Sequence, residues 1–183
     1  MQGQLNSTQK SMLQSNAATM NETMITRDEI LAVFPDVAQI VADAIGCELE
    51  KVKLESSLID DLGAESIDFV DILFRLQRHF KVKIPRGKIV EEARGGVSER
   101  EFEKAGLVSD AGIERLRVFL NEVPPERFKS PLNEADIPRL FTVETFCKLV
   151  IRQLQTAAVA FSRSPTLLQT QRETDSRGNR GVD

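Results

Sequence analysis

The chain has 183 residues, 24 basic against 28 acidic, for a formal net charge of −4, enough length for one domain with tails and a core that needs no disulfide or metal staple. Ten Phe with no Trp or Tyr, on an acidic chain, argue against an aromatic platform or phosphate-backbone binder for nucleic acid. One His and two Cys that fit no C-x-x-C pattern leave too few soft ligands for a structural zinc site.

Residues 1–24 are rich in Gln, Asn, Ser, Thr and Met and are expected to form a disordered leader; Met12, Met20 and Met24 are alternative starts. No basic stretch followed by an apolar one marks a secretory signal. No run approaches the ~18 apolar residues of a membrane span, so the expectation is a cytoplasmic protein without stable membrane insertion. Cys47 and Cys147 are expected to be buried thiols.

Thr26 with Glu29 forms a capping box. Apolar residues then recur at helical spacing from Ile30 to Ile45, and Gly46 can end the run. Pro35 falls inside it, which predicts two short helices or one with a kink. Residues 48–65 carry Val52, Leu54, Leu58, Ile59 and Leu62, so this long connection should pack onto a core. A second helix is expected from about Ser66 to Phe80, with Ile67, Val70, Leu73, Phe74 and Phe80 along one side, closed off by Val82, Ile84 and Pro85.

Residues 86–130 read as a separate block. Ser98 and Glu101 cap a short helix that should stop near Gly106, and Ser109 or Asp110 starts another, bearing Ile113, Leu116, Phe119 and Leu120. Thr142 caps a final helix with Val143, Phe146, Cys147, Val150, Ile151 and Leu154. No strand pattern is convincing, so the predicted fold class is all-α. The expected organisation is a domain over 25–156, with an insertion at about 86–130, and a flexible tail over 157–183.

The chemistry concentrates in Asp60-Asp61-Leu62-Gly63-Ala64-Glu65-Ser66-Ile67-Asp68. Gly63 permits a left-handed turn before the helix. Ser66 falls at the helix N-terminus, where free N–H groups would favour a phosphate ester. Asp60, Asp61, Glu65, Asp68 and Asp71 surround it, with no Lys or Arg between Lys53 and Arg75, an acidic collar suited to a basic partner. Taken alone, Ser66 could equally be an ordinary N-cap, and each acid a solvated surface residue. His79 reads as a surface residue near the helix C-terminal dipole.

This stretch resembles the attachment motif of the acyl carrier proteins, Asp-Leu-Gly-x-Asp-Ser-Leu-Asp. The preceding amphipathic helix, the aliphatic loop, Phe80…Ile84-Pro85 and Thr142-Val143 fall in family order, over roughly residues 26–85 and 131–155. The resemblance implies a four-helix bundle that is not an enzyme, with Ser66 as the attachment point for covalent 4′-phosphopantetheine from coenzyme A. The arm would hold acyl groups as thioesters for fatty-acid or specialised lipid synthesis. It implies a phosphopantetheinyl transferase and acyl-synthesis and acyl-transfer enzymes as partners, docking on the second helix, with a monomer as the expected state. Residues expected to be recognised are Asp61, Glu65, Asp68, Asp71, Arg75 and Arg78. Alternatives are an amino-acyl or aryl carrier, or an unmodified helical interaction protein.

Three departures stand out. Glu65 replaces the usual Asp before the serine. The far end of the second helix is basic, with Arg75, Arg78, His79, Lys81 and Lys83 where fatty-acid carriers are usually acidic, which predicts poor docking on enzymes that expect an acidic helix. The insertion should fold as a helical hairpin against the bundle, as a stabilising flap, a lid or a docking platform.

Overall fold

The computed structural model of the chain describes residues 24–162, without the side chains of residues 86–88, 90 and 162. The expected leader, apart from Met24, and the tail beyond residue 162 lie outside the described residues.

Thr26 caps helix α1 (Arg27–Ile45). Its hydroxyl accepts the Glu29 N–H at 3.2 Å, and the Glu29 carboxylate accepts the Thr26 N–H at 2.8 Å. That backbone donor, then the hydroxyl and Gln155, hold the Glu29 carboxyl below its ordinary range. The helix runs through Pro35 as one element. Proline removes a bond to the carbonyl of Leu31, on a turn that faces outward, where Leu31 is half exposed. Ile30, Val37, Ala38, Val41 and Ala42 bury the opposite face.

Helix α2 (Ser66–Phe80) has the predicted bounds, and buries Ile72, Leu73 and Leu76. Its expected apolar side needs correction, because Ile67, Val70 and Phe74 are 65%, 37% and 61% exposed. The helix carries two apolar stripes, and periodicity does not say which one meets the core. Helix α3 (Arg86–Arg94) follows, and the last helix, α6 (Val143–Ser162), opens at Thr142, whose hydroxyl accepts the Thr145 N–H at 3.3 Å. Helices α1, α2 and α6 pack pairwise. Helix α6 continues through residues 157–162, assigned to the tail on sequence.

The insertion is not a plain helical hairpin. Helix α4 (Glu99–Phe102) ends well before Gly106, and strands β1 (Glu103–Lys104), β2 (Leu107–Val108) and, later, β3 (Leu132–Asn133) form a small antiparallel sheet in the order β1-β2-β3. Two-residue strands are too short to show alternation. The β1–β2 turn places Ala105 and Gly106 at φ 56° and 81°, the signature of a tight hairpin with Ala where Asn or Asp would advertise it. Helix α5 (Asp110–Phe119), capped by Ser109, crosses the hairpin at Gly112, where a Cβ would sit 2.4 Å from the Phe102 carbonyl oxygen.

Phe102, Ile113, Leu116, Phe119, Leu120 and Phe128 join one continuous core with the bundle, whereas Leu107 remains exposed. Polar contacts reinforce this junction. The Lys148 ammonium, nearly buried on α6, lies 2.8 Å from Glu122, 3.1 Å from Glu144 and 2.6 Å from the Asn121 amide oxygen. Arg27 reaches Glu144 from α1 at 3.1 Å, and the Arg152 guanidinium lies over the Phe119 ring at 4.9 Å. Cys147 is buried as expected, but Cys47, just past the end of α1, is only half-buried. No helix among the described residues is long and apolar enough to cross a membrane.

Candidate functional site

The aliphatic connection packs as its composition requires, with Val52, Leu54 and Leu58 buried. Once those side chains are anchored, its backbone needs partners, and the start of α6 together with the segment just before it supplies them. The Val143 N–H bonds to the Ser56 carbonyl at 3.0 Å, the Leu58 N–H to the Phe141 carbonyl at 3.1 Å, and the Ser57 hydroxyl to the Arg139 carbonyl at 3.0 Å. Within the loop, the Asp61 carboxylate accepts the Ser57 N–H at 2.7 Å, and the Ala64 N–H bonds to the Leu58 carbonyl at 2.8 Å. Gly63 turns the chain at φ 76° with open space where a Cβ would lie, so its requirement is conformational.

This tied loop delivers Ser66 to the start of α2. The N-cap is Glu65, in extended backbone, and Ser66 is the first helical residue. The Asp68 carboxylate accepts the Glu65 N–H at 2.7 Å. Ser66 is exposed, and its hydroxyl has no hydrogen bond among the described residues. The plain capping role is therefore taken by its neighbour, leaving Ser66 a free oxygen in the positive field of a helix N-terminus. That arrangement suits a phosphodiester at Ser66, since nothing in the fold's own bonding has to be displaced.

The acidic collar is weaker than the sequence suggested. Asp60 meets Arg127 and Arg139, each at 2.8 Å; these cations lie 67 and 79 positions away in the chain. No local signal could have found them. Asp71 pairs with Arg75 at 2.7 Å, while Asp61 and Asp68 are engaged with backbone amides. Glu65 is exposed. At the other end of α2, His79 lies 3.3 Å from Asp36 and packs edge-on against Phe80, whereas Arg78 is exposed without an ion pair among the described residues.

Two apolar features flank Ser66. Ile67, Val70 and Phe74 run along the exposed face of α2 at i, i+3 and i+7 spacing. On the inner side Phe69, one turn from Ser66, packs tilted on Phe141 and Phe146, with ring centroids 6.4 and 6.1 Å away. Sequence reasoning missed Phe69 and Phe141, because isolated aromatics give no clue to their partners.

A family model described as a phosphopantetheine attachment site matches residues 35–94, which takes in the loop, all of α2 and α3. The chain is 40% identical over 74 residues to the acyl carrier protein AcpXL of Rhizobium meliloti (strain 1021), covering 40% of this chain and 78% of that protein. It is 43% identical over 53 residues to an acyl carrier protein of Clostridium acetobutylicum, covering 29% of this chain and 69% of the relative. An acyl carrier protein of Campylobacter curvus is 44% identical over 55 residues, 30% of this chain and 71% of its own. No solved structure matches.

Proposed function

We propose that this chain, which belongs to the acyl carrier protein family, takes its 4′-phosphopantetheine arm on Ser66 and serves fatty-acid or specialised lipid synthesis in the cytoplasm. The observation that carries the reading is the exposed Ser66 hydroxyl at the first position of α2, unbonded among the described residues, behind a loop tied to the segment that leads into α6. When attached, the prosthetic group supplies a terminal thiol that holds an acyl chain as a thioester.

Ser66 Oγ attacks the phosphorus that carries the pantetheine arm in coenzyme A. The new P–O bond replaces the one to the departing nucleotide phosphate, and the hydroxyl proton passes to a base on the transferase. Asp68 holds the backbone amide of Glu65 and so fixes the turn that presents Ser66. Gly63 and Asp61 set the loop's curvature. The tilted ring of Phe69 and its neighbours offer apolar surface one turn away. Residues 25–156 act as one carrier domain, with the insertion as an added wall fixed through Lys148. Its partners are a phosphopantetheinyl transferase and acyl-handling enzymes.

Incubation with coenzyme A and a broad-specificity transferase should add the mass of one phosphopantetheinyl group, with no gain in Ser66→Ala. An unchanged wild-type mass, or a gain in the variant, would overturn the reading. The acyl load on protein purified from its own cells, read by intact mass, separates fatty acyl from amino-acyl or aryl cargo.

A further inference from the structure

We infer that the C-terminal end of α2, comprising Arg78, Lys81 and Lys83 beside the exposed Phe74, docks a protein partner whose contact face is acidic around an apolar recess. The surface rests on the carrier reading for its partner's class, an acyl-handling enzyme, and adds the sign of the charge that partner must present.

The cations of this region fall into two groups. Arg75 and His79 are matched internally, by Asp71 at 2.7 Å and Asp36 at 3.3 Å. Arg78, Lys81 and Lys83 are exposed and have no ion pair among the described residues. Three unmatched like charges within six residues repel one another, and an opposed acidic face relieves that repulsion.

Lys81 supplies a second, independent observation. It adopts the left-handed conformation at φ 54° where α2 ends, a position that favours glycine. Its N–H already bonds to the Gln77 carbonyl, which glycine would do equally well. The side chain thus carries a conformational cost, and no described residue makes an ion pair with it. Strain retained at an exposed cation points outward, to a contact in another molecule.

The shape agrees with the charge. Ile40, Arg75, Arg78 and His79 line a shallow, open depression between α1 and α2, where Arg78 is the cation that no internal carboxylate matches among the described residues. Phe74, 61% exposed, stands one turn from Arg78 and gives an apolar anchor of the kind that dominates interface energies. An enzyme with a basic docking face would instead meet like charge, at a cost in both rate and affinity.

The test uses the full-length chain with Ser66→Ala, so that docking is measured independently of loading, against each acyl-handling enzyme encoded in the same cells. At least one should bind, with affinity falling as salt rises. Arg78→Glu/Lys81→Glu/Lys83→Glu should weaken that binding tenfold or more, and Lys substitution of the partner's docking-face carboxylates should restore it. Arg100→Glu/Lys104→Glu, on the insertion, should change it less than twofold. Lys81→Gly should raise the urea midpoint while weakening binding, a split that a purely structural lysine would not give. The inference is overturned if no enzyme binds, if the triple variant binds within twofold of its parent, if the partner's contact residues prove basic, or if only phosphatidylglycerol vesicles bind. Failure of loading shows separately, as an unchanged mass in the wild-type chain.

Discussion

The Arg127 guanidinium donates to the Asp60 carboxylate at 2.8 Å across 67 positions of the chain, so a cation from the insertion is fastened to the loop that leads to Ser66. Arg139 takes the other carboxylate oxygen. Both sides of this cluster are partly exposed, so Asp60→Asn should cost under about 1 kcal/mol of global stability. Its larger effect should be local: amide hydrogens of residues 57–64 exchange faster, and transferase loading slows several-fold. Unchanged exchange in that loop would remove the link between insertion and site.

Lys148 should behave quite differently. Its ammonium and Glu122 are nearly buried, with side-chain exposures of 11% and 5%. Lys148→Met strands a buried carboxylate and should lower stability by about 3–5 kcal/mol, measured by urea unfolding. Lys148→Met/Glu122→Leu should recover most of that loss, since a packed apolar pair replaces the charges. A double variant as unstable as the single one would show that the charge is not what matters.

Gly63 and Gly112 are constrained for different reasons, and paired substitutions expose the difference. Gly63→Ala incurs only the left-handed backbone penalty, about 1 kcal/mol, and Gly63→Asn should cost less because Asn tolerates that region. At Gly112 any side chain strikes the Phe102 carbonyl, so Ala should cost about 1–3 kcal/mol and Asn more. Equal losses for Ala and Asn at position 63 would count against the conformational explanation.

The two thiols should titrate apart. Burial first, then the charge of Glu144, pushes Cys147 up to about 12 from 9.0. A raised thiol pKa means that the folded state prefers the neutral form. The associated stability is complete below pH 9 and is lost as pH rises from there toward 12. A neutral-pH thiol reagent should modify Cys47 alone in the native protein and both cysteines in denaturant. Rapid native labelling of Cys147 would contradict its burial.

What could be read from the sequence was the part governed by neighbours in the chain. Thr26 with Glu29, Ser98 with Glu101, and the bounds of α2 follow from capping and periodicity, which act over a few residues. The attachment motif is equally local, so Ser66 could be singled out, though not its relation to Glu65 as the true cap. The pairing of Asp60 with Arg127 and Arg139 is set by how the insertion folds back, and no spacing rule reaches that far. Ile67, Val70 and Phe74 looked like core because an exposed apolar stripe and a buried one have the same period. The sheet went unseen because Ala105 occupies a hairpin position that usually announces itself with a polar residue.

Since Ser66 makes no side-chain hydrogen bond among the described residues, a copy without the proposed arm should already have its fold complete. On the proposed carrier function, it should display the same face of α2 as a loaded copy and so occupy the same partners without delivering anything. Unloaded protein should then, on that same function, compete with loaded protein, so that the ratio of loaded to empty chains matters as well as total abundance.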